Sequence, residues 1–103
     1  MSANPKPWFL YLLLCRGGGI YTGITLDVER RFRQHCTGKG ARYTRLNPPE
    51  RLLVCREYPD HQSAAQAEVA FKRLPATEKW RWVAHWTGEA DAPLSHHPLL
   101  QTL

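Results

Sequence analysis

Two short apolar runs, separated by a glycine triplet, open the ordered pattern of this chain. Residues 8–15 (WFLYLLLC) are too few and too apolar for a surface helix, and residues 20–25 (IYTGIT) are rich in β-branched and aromatic side chains. Two such runs on either side of a glycine-rich turn predict a β-hairpin.

Alternation along the predicted hairpin assigns its side chains to faces. A period of two places Phe9, Tyr11 and Leu13 together on the first strand, and Tyr21 with Gly23 on the second. Pairing within one hairpin keeps Tyr11 and Tyr21 close. The pattern alone leaves open whether the two tyrosines share a face.

A helical pattern follows the hairpin over about residues 28–36, with Asp27 as a suitable N-cap. Three residues recur every four positions and are expected to face the sheet: Val28, Phe32 and Cys36. Arg31 and His35 lie one step around the helix, at the border of that stripe. A border position lets a side chain reach over a cleft while its helix stays packed.

The remainder of the chain predicts a loop, one more strand and two more helices, at residues 37–50, 51–58, 63–74 and 77–87. The order ββαβαα indicates an α+β fold in which helices flank a small three-stranded antiparallel sheet. We expect a flexible N-terminus over residues 1–7, a single domain over 8–87 and a poorly ordered tail over 88–103.

Composition fits one globular domain and adds a positive charge. The chain has 103 residues with 43% hydrophobic side chains, and 14 basic against 9 acidic residues give a net charge of +5. The charge is unevenly spread, because residues 30–49 contain six basic residues and no acid: Arg30, Arg31, Arg33, Lys39, Arg42 and Arg45. Such a one-sign stretch favours a nucleic-acid partner, with a solvated surface as the alternative.

The cysteines and the hydropathy pattern bear on the compartment. Cys15, Cys36 and Cys55 lack the spacing of a metal site or a disulfide framework, so we expect reduced thiols packed in the core. No apolar run reaches the length of a membrane span, and the N-terminal residues have no apolar signal core. These features predict a cytoplasmic protein with no membrane partner.

One acidic residue does not fit its surroundings. The helix predicted over 63–74 has an apolar stripe of Ala64, Ala67, Phe71 and Leu74. Glu68 lies on this stripe, where an unpaired carboxylate costs roughly several kcal/mol. Either it pairs with Lys72 one turn later, or it points into a polar cleft and holds a divalent metal completed by water and phosphate.

The polar residues of the hairpin and the first helix suggest a chemistry. Tyr11, Tyr21, Arg31 and His35 can converge on one small polar site. Phenols can orient or deprotonate a water, and a guanidinium can hold phosphate oxygens, so these residue types suit attack on a phosphodiester.

Two further groups of residues have competing interpretations. Lys39, Arg42 and Arg45 interleave with Tyr43 and Thr44, a pattern that favours DNA contact over a plain surface loop. Glycine spacing excludes a phosphate-binding P-loop. Three tryptophans in the last helix are better explained by core packing than by base stacking: Trp80, Trp82 and Trp86.

The order of these residues resembles the GIY-YIG nuclease superfamily. Its two name-giving motifs correspond to Phe9-Leu10-Tyr11, which lacks the glycine of the first motif, and to Tyr21-Thr22-Gly23. The resemblance covers about residues 8–86 and is strongest to the small stand-alone bacterial branch. It implies a GIY-YIG-like fold and a divalent-metal-dependent endonuclease acting on DNA, structured or damaged DNA included.

The resemblance also implies roles for individual residues. Glu68 would bind Mg²⁺ or Mn²⁺, Tyr11 would position or deprotonate the attacking water with support from Tyr21, and Arg31 would stabilise charge on the phosphoryl oxygens. His35 would either relay the proton or bind a neighbouring phosphate. Substrate contacts are expected from Gly23, Lys39, Arg42, Arg45 and Lys72.

Two alternatives remain at this point. The chain could be a non-catalytic nucleic-acid-binding module. It could also be a catalytic subunit that acts only with a protein partner supplying DNA affinity. The carboxylate of Glu68 argues against pure binding, because it would repel phosphate.

Overall fold

Three antiparallel strands in the order β2-β1-β3 form the sheet of this protein. The computed structural model describes residues 6–88. Strand β1 is Trp8–Cys15, β2 is Ile20–Thr25 and β3 is Pro49–Tyr58. The central position of β1 explains its almost uninterrupted apolar sequence, since both of its faces are covered by other elements.

The register of the hairpin answers the question that alternation left open. Tyr11 pairs with Gly23, and Leu13 pairs with Tyr21. Residues directly opposite each other in a ladder point to the same face, and so do residues two apart along a strand. Tyr11 and Tyr21 therefore share one face of the sheet. Gly17 makes the turn with a φ of 90° that favours glycine.

Four helices complete the described part of the chain: α1 Val28–Cys36, α2 Arg42–Leu46, α3 His61–Lys72 and α4 Ala76–Trp86. Asp27 and Asp60 cap α1 and α3, each accepting a hydrogen bond from the backbone N–H three residues later. None of the helices within residues 6–88 has the length and hydropathy needed to cross a membrane.

The predicted order ββαβαα is confirmed, with one additional short helix and several shifted boundaries. Short helix α2 forms within the segment predicted as a loop, α3 begins two residues before its predicted start, and β3 begins at Pro49 rather than residue 51. A proline is acceptable there because it is the first residue of an edge strand. The predicted terminal segments lie outside the described residues, apart from Lys6, Pro7 and Gly88.

The two faces of the sheet carry separate apolar clusters. Leu10 and Leu12 pack with α3 and α4, whose buried contributions are Ala64, Ala67, Ala70, Phe71, Trp82 and Val83. On the opposite face, Tyr11, Leu13 and Cys15 pack with Tyr21, Val28 and Phe32. The stripe predicted for α3 is confirmed, and so is the core role of Trp82 and Trp86, whereas Trp80 is exposed.

The prediction of three core thiols is correct only for Cys15. Cys36 and Cys55 are free and exposed. Residues four apart on an α-helix are rotated by about 40° from each other, so Cys36 lies about 80° away from Val28 and leaves the stripe. His35 lies only about 20° from Val28, on the side away from Phe32, and is buried. Cys55 lies on edge strand β3, opposite Tyr11.

Candidate active site

A buried hydrogen bond between Tyr11 and His35 forms the centre of the site. Each side chain is only 1% exposed, and the phenol oxygen of Tyr11 lies 2.8 Å from Nε2 of His35. β1 supplies the tyrosine, and the rotation of α1 that excludes Cys36 directs His35 toward the sheet. The prediction put His35 at the border of the buried stripe; the structure puts it inside.

The other ring nitrogen of His35 is also bonded. Its Nδ1 lies 2.7 Å from Oγ1 of Thr44 in α2, and the Thr44 hydroxyl donates to the carbonyl of Ala41 at 2.9 Å. In the sequence, Thr44 is only a residue between two arginines, Arg42 and Arg45. No local signal marks it, because it lies nine positions from His35 in a segment without a helical apolar stripe.

Two glycines leave the space that this pair needs. A Cβ atom at Gly23 would lie 2.5 Å from the Tyr11 phenol oxygen and 2.6 Å from its Cζ. A Cβ atom at Gly40 would meet the ring of His35. Since Tyr11 and His35 are both buried, neither ring has open space to move into. Any residue other than glycine at position 23 would displace the phenol from His35.

Burial favours the neutral form of both groups. It raises the pKa of Tyr11 to about 12, an effect partly offset by the nearby Arg31 guanidinium and increased slightly by the Tyr21 and Glu68 charges. Burial, with a smaller contribution from Arg31, lowers the pKa of His35 to about 4. At pH 7 the phenol keeps its proton and the imidazole is uncharged.

The arginine of the site differs from its neighbours on α1. Arg31 is half-buried, influences the pKa of both Tyr11 and His35, and donates from Nη1 to Oε1 of Gln34 at 2.9 Å. Arg33 is exposed and pairs with Glu29 at 2.6 Å. Of the three arginines of α1, only Arg31 influences the pKa of Tyr11 and of His35.

Tyr21 connects the central pair to the surface. Its ring centroid lies 6.2 Å from that of Tyr11 and 4.9 Å from that of His35. On its other side it stacks on Tyr43, with centroids 6.0 Å apart and ring planes at 25°. Tyr43 is 41% exposed. A continuous aromatic path therefore leads from solvent to the buried hydrogen bond.

Glu68 approaches the site from α3. Its side chain is 22% exposed, and Lys72 Nζ lies 3.2 Å from Oε2. The ion pair with Lys72, one of the two alternatives raised by the sequence, is therefore present, and the carboxylate is also near enough to raise the pKa of Tyr11. Within residues 6–88, no three His, Cys, Asp or Glu side chains gather as a metal cage.

A lone carboxylate nevertheless suits a hard divalent cation. Mg²⁺ is commonly held by one or two carboxylates, with water and substrate phosphate filling the remaining positions. Glu68 offers a partly exposed oxygen donor, and Lys72 engages only Oε2. The residues present therefore fit such an ion.

The predicted basic contacts lie beside the site. Lys39, Arg42 and Arg45 are exposed, on and just before α2. Across the described range from Lys6 to Gly88, none of the three forms an ion pair with a carboxylate. Their charges are available to a polyanion next to Tyr43.

The fold and the site together define a nuclease type of domain: a hairpin with two tyrosines, followed by a helix with arginine and histidine. Residues 7–80 match the family described as the GIY-YIG catalytic domain. The chain belongs to this family of nucleases.

Relatives and solved structures agree with that membership. The chain is 52% identical over 96 residues to a UPF0213 protein of Xanthomonas axonopodis pv. citri, covering 87% of this chain and 94% of the relative. A UPF0213 protein of Streptococcus agalactiae is 40% identical over 83 residues, covering 81% and 94%. These relatives are small, like the chain itself.

Two solution NMR structures resemble the described fold. The UPF0213 protein from Bacillus halodurans has a TM-score of 0.52 and 38% identity, covering 77% of this chain and 84% of that one. A protein from E. faecalis has a TM-score of 0.58 and 33% identity, covering 93% and 100%. The three-stranded α+β architecture is therefore that of the UPF0213 proteins.

Burial of neutral His35 predicts acid sensitivity. An unfolded histidine takes up a proton near pH 6.5, whereas folded His35 stays neutral to about pH 4. The contribution of neutral His35 to the free energy of unfolding is therefore complete above pH 6.5. It is lost as the pH falls toward 4, and the total loss is roughly 3 kcal/mol. Urea unfolding of the wild type and of His35→Gln at pH 7, 5.5 and 4.5 measures it. The variant should show the shallower pH dependence; equal dependences would contradict a buried neutral His35.

Proposed function

We propose that this protein is a divalent-metal-dependent endonuclease that hydrolyses phosphodiester bonds in DNA, structured or damaged DNA included. The observation that carries the proposal is the buried pair of Tyr11 and His35, with the phenol 2.8 Å from Nε2 and Arg31 beside both. A merely structural core does not need two buried polar rings next to a half-buried cation. Membership of a nuclease family supports the assignment.

We assign to Tyr11 the role of positioning or deprotonating the attacking water. With a pKa of about 12, only a very small fraction of the phenol is ionised at pH 7, so Tyr11 acts as a base only if a neighbour takes its proton. His35 is neutral and within hydrogen-bonding distance, which makes it that neighbour. Its burial disfavours the alternative role of binding a second phosphate. Tyr21 packs against both rings and supports their arrangement.

We assign to Arg31 the role of stabilising negative charge on the phosphoryl oxygens. Its planar guanidinium presents paired donors that match two phosphate oxygens, and it is already held near Tyr11. Charge accumulates on these oxygens as the water attacks. A cation fixed in advance at this position stabilises the transition state more than the bound substrate.

Glu68 is assigned as the residue that would hold Mg²⁺ or Mn²⁺. When bound, the cation would supply positive charge to the scissile phosphate and to the leaving 3′-oxygen. In the protein alone, Lys72 occupies one oxygen of Glu68. On binding DNA, Lys72 transfers to a phosphate oxygen, which accounts for its proposed substrate contact.

We assign the contacts with the DNA backbone to Lys39, Arg42 and Arg45. Gly23, which has no side chain, lets the substrate approach the site closely. The three basic residues are exposed and lie beside Tyr43 at the solvent end of the aromatic path. We propose the cytoplasm as the compartment, since its reducing conditions suit the free thiols of this chain. The surface formed by these three basic residues is small, which is compatible with a protein partner that adds DNA affinity.

Nicking of supercoiled, branched and single-stranded DNA, with Mg²⁺ and with EDTA, tests the proposal directly. Cleavage that EDTA removes supports a metal-dependent nuclease. DNA binding without cleavage would identify a binding module. Cleavage only after addition of a cell extract, followed by co-purification, would identify a partner-dependent subunit.

Glu68→Gln should abolish cleavage at limiting Mg²⁺ while leaving fold and DNA binding intact. The change removes a ligand charge and almost no volume. Glu29→Gln is the matched control, because Glu29 also forms an i,i+4 ion pair but lies on the exposed face of α1. If both variants cut DNA like the wild type and lose only about 0.3–0.5 kcal/mol of stability, Glu68 serves the ion pair alone.

Arg31→Lys should slow the chemical step by about two orders of magnitude with little effect on affinity. Lysine keeps the charge but lacks the planar pair of donors. Arg33→Lys provides the control, since Arg33 is exposed and paired with Glu29. Single-turnover rates at saturating protein compare the two. Equal rates in both variants would remove Arg31 from the catalytic machinery.

Replacement of Lys39, Arg42 and Arg45 by alanine should flatten the salt dependence of DNA binding. Each phosphate contact contributes about 0.9 to the slope of log K against log salt for duplex DNA, so three contacts contribute about 2.7. A triple variant of Lys6, Arg51 and Arg73 removes the same charge from other exposed positions. Binding titrations between about 50 and 300 mM salt measure both slopes. Equal changes would indicate a general charge effect instead of a defined contact surface.

A further inference from the structure

Thr44 occupies a position that the chemistry assigned above does not use. It is 1% exposed, and its hydroxyl lies between His35 Nδ1 at 2.7 Å and the Ala41 carbonyl at 2.9 Å. A buried threonine in a five-residue helix could satisfy its hydroxyl with the helix carbonyl alone. Here the same oxygen also contacts the imidazole that touches Tyr11.

The two contacts of Thr44 determine which nitrogen of His35 carries the proton. A carbonyl can only accept, so the 2.9 Å contact with Ala41 is a hydrogen bond only when the Thr44 hydroxyl donates its single proton there. The oxygen then has only lone pairs to offer, and a nitrogen 2.7 Å away must donate to it. Nδ1 is therefore protonated. Because His35 is neutral, Nε2 has a lone pair.

This tautomer matters for Tyr11. An unprotonated Nε2 at 2.8 Å accepts the phenol hydrogen bond and can take the phenol proton. The opposite tautomer would place an N–H against the phenol and leave the Tyr11 proton without this acceptor. A neutral histidine chooses its tautomer by the hydrogen bond that its other nitrogen makes.

The surroundings of Thr44 hold its hydroxyl in place. The Ala41 carbonyl also accepts from the Arg45 N–H at 3.1 Å, which closes the turn of α2. Gly40 allows the chain before α2 to approach the imidazole, since a Cβ there would meet the ring. Tyr43 stacks on Tyr21 and fixes α2 from the other side. The helix that was predicted as a loop is thus built against His35.

We propose that Thr44 is a positioning residue that fixes His35 as the Nδ1–H tautomer, so that Nε2 accepts the phenol proton of Tyr11. The consequence for turnover rests on the proposed nuclease function. The assignment of the tautomer does not, because it can be observed in the protein without substrate.

Nitrogen-15 NMR of the imidazole provides that observation. The full-length wild type should show a protonated Nδ1 and an unprotonated Nε2 at pH 7. Tyr11→Phe, which removes the other partner of the ring, should keep this tautomer. Thr44→Val, close in shape but without a hydroxyl, should lose it, and Thr44→Ser should retain it. Neither a general packing role nor a stability role for Thr44 accounts for this pattern.

Cleavage rates test the consequence. Thr44→Val should lower the single-turnover rate about 10- to 100-fold, as when a group that orients a ligating or catalytic histidine is removed, with unchanged DNA affinity. Thr44→Ser should restore most of the rate. If the wild type cuts no DNA while the NMR pattern holds, the nuclease function fails and the role of Thr44 in fixing the tautomer stands.

Three results would overturn the inference. A wild-type ring protonated at Nε2 contradicts it directly, and this measurement does not depend on whether Thr44→Val folds. A tautomer that changes in Tyr11→Phe would mean that the phenol, and not Thr44, selects the protonated nitrogen. A folded Thr44→Val protein with the wild-type tautomer and cleavage rate would leave Thr44 without a positioning role.

Discussion

The hydrogen bond between the Tyr11 phenol and His35 Nε2 is the interaction on which the rest of this structure depends. Both groups are almost completely buried, and a buried polar group without a partner is costly. The fold therefore provides space for both rings and a hydrogen-bond partner for the second nitrogen of His35. Glycine at positions 23 and 40 leaves the space, and Thr44 bonds the remaining ring nitrogen.

Burial also separates the protonation equilibria of the two groups. It raises the pKa of Tyr11 and lowers that of His35, so proton transfer from phenol to imidazole is unfavourable in the protein alone. Positive charge near the phenol favours the phenolate, and Arg31 provides some of it, but the same guanidinium also disfavours a charged imidazole. A cation held by Glu68 would add to the positive charge beside the phenol.

Much of the fold could be predicted because its local signals agree with its tertiary environment. The runs at 8–15 and 20–25 became β1 and β2 with the predicted bounds, and Asp27 capped α1. The helical period of the sequence also predicts the apolar stripe of α3, which is buried in the structure. Short helix α2 escaped prediction because five residues carry too little periodicity, and because its stability comes from contacts with His35 and Tyr21.

The sequence by itself determined the strands, the main helices and the residue types of the site, since alternation, capping and motif order are local properties of the chain. Only the tertiary structure decided that Tyr11 and Tyr21 share a face, because this depends on a register in which Tyr11 opposes Gly23. It likewise decided that His35 and not Cys36 is buried, because an ideal helix turns by 100° per residue and a four-residue repeat drifts off the packed face. Thr44 joined the site for the same kind of reason: nine residues of chain separate it from His35, and only packing of α2 against α1 brings the two side chains together.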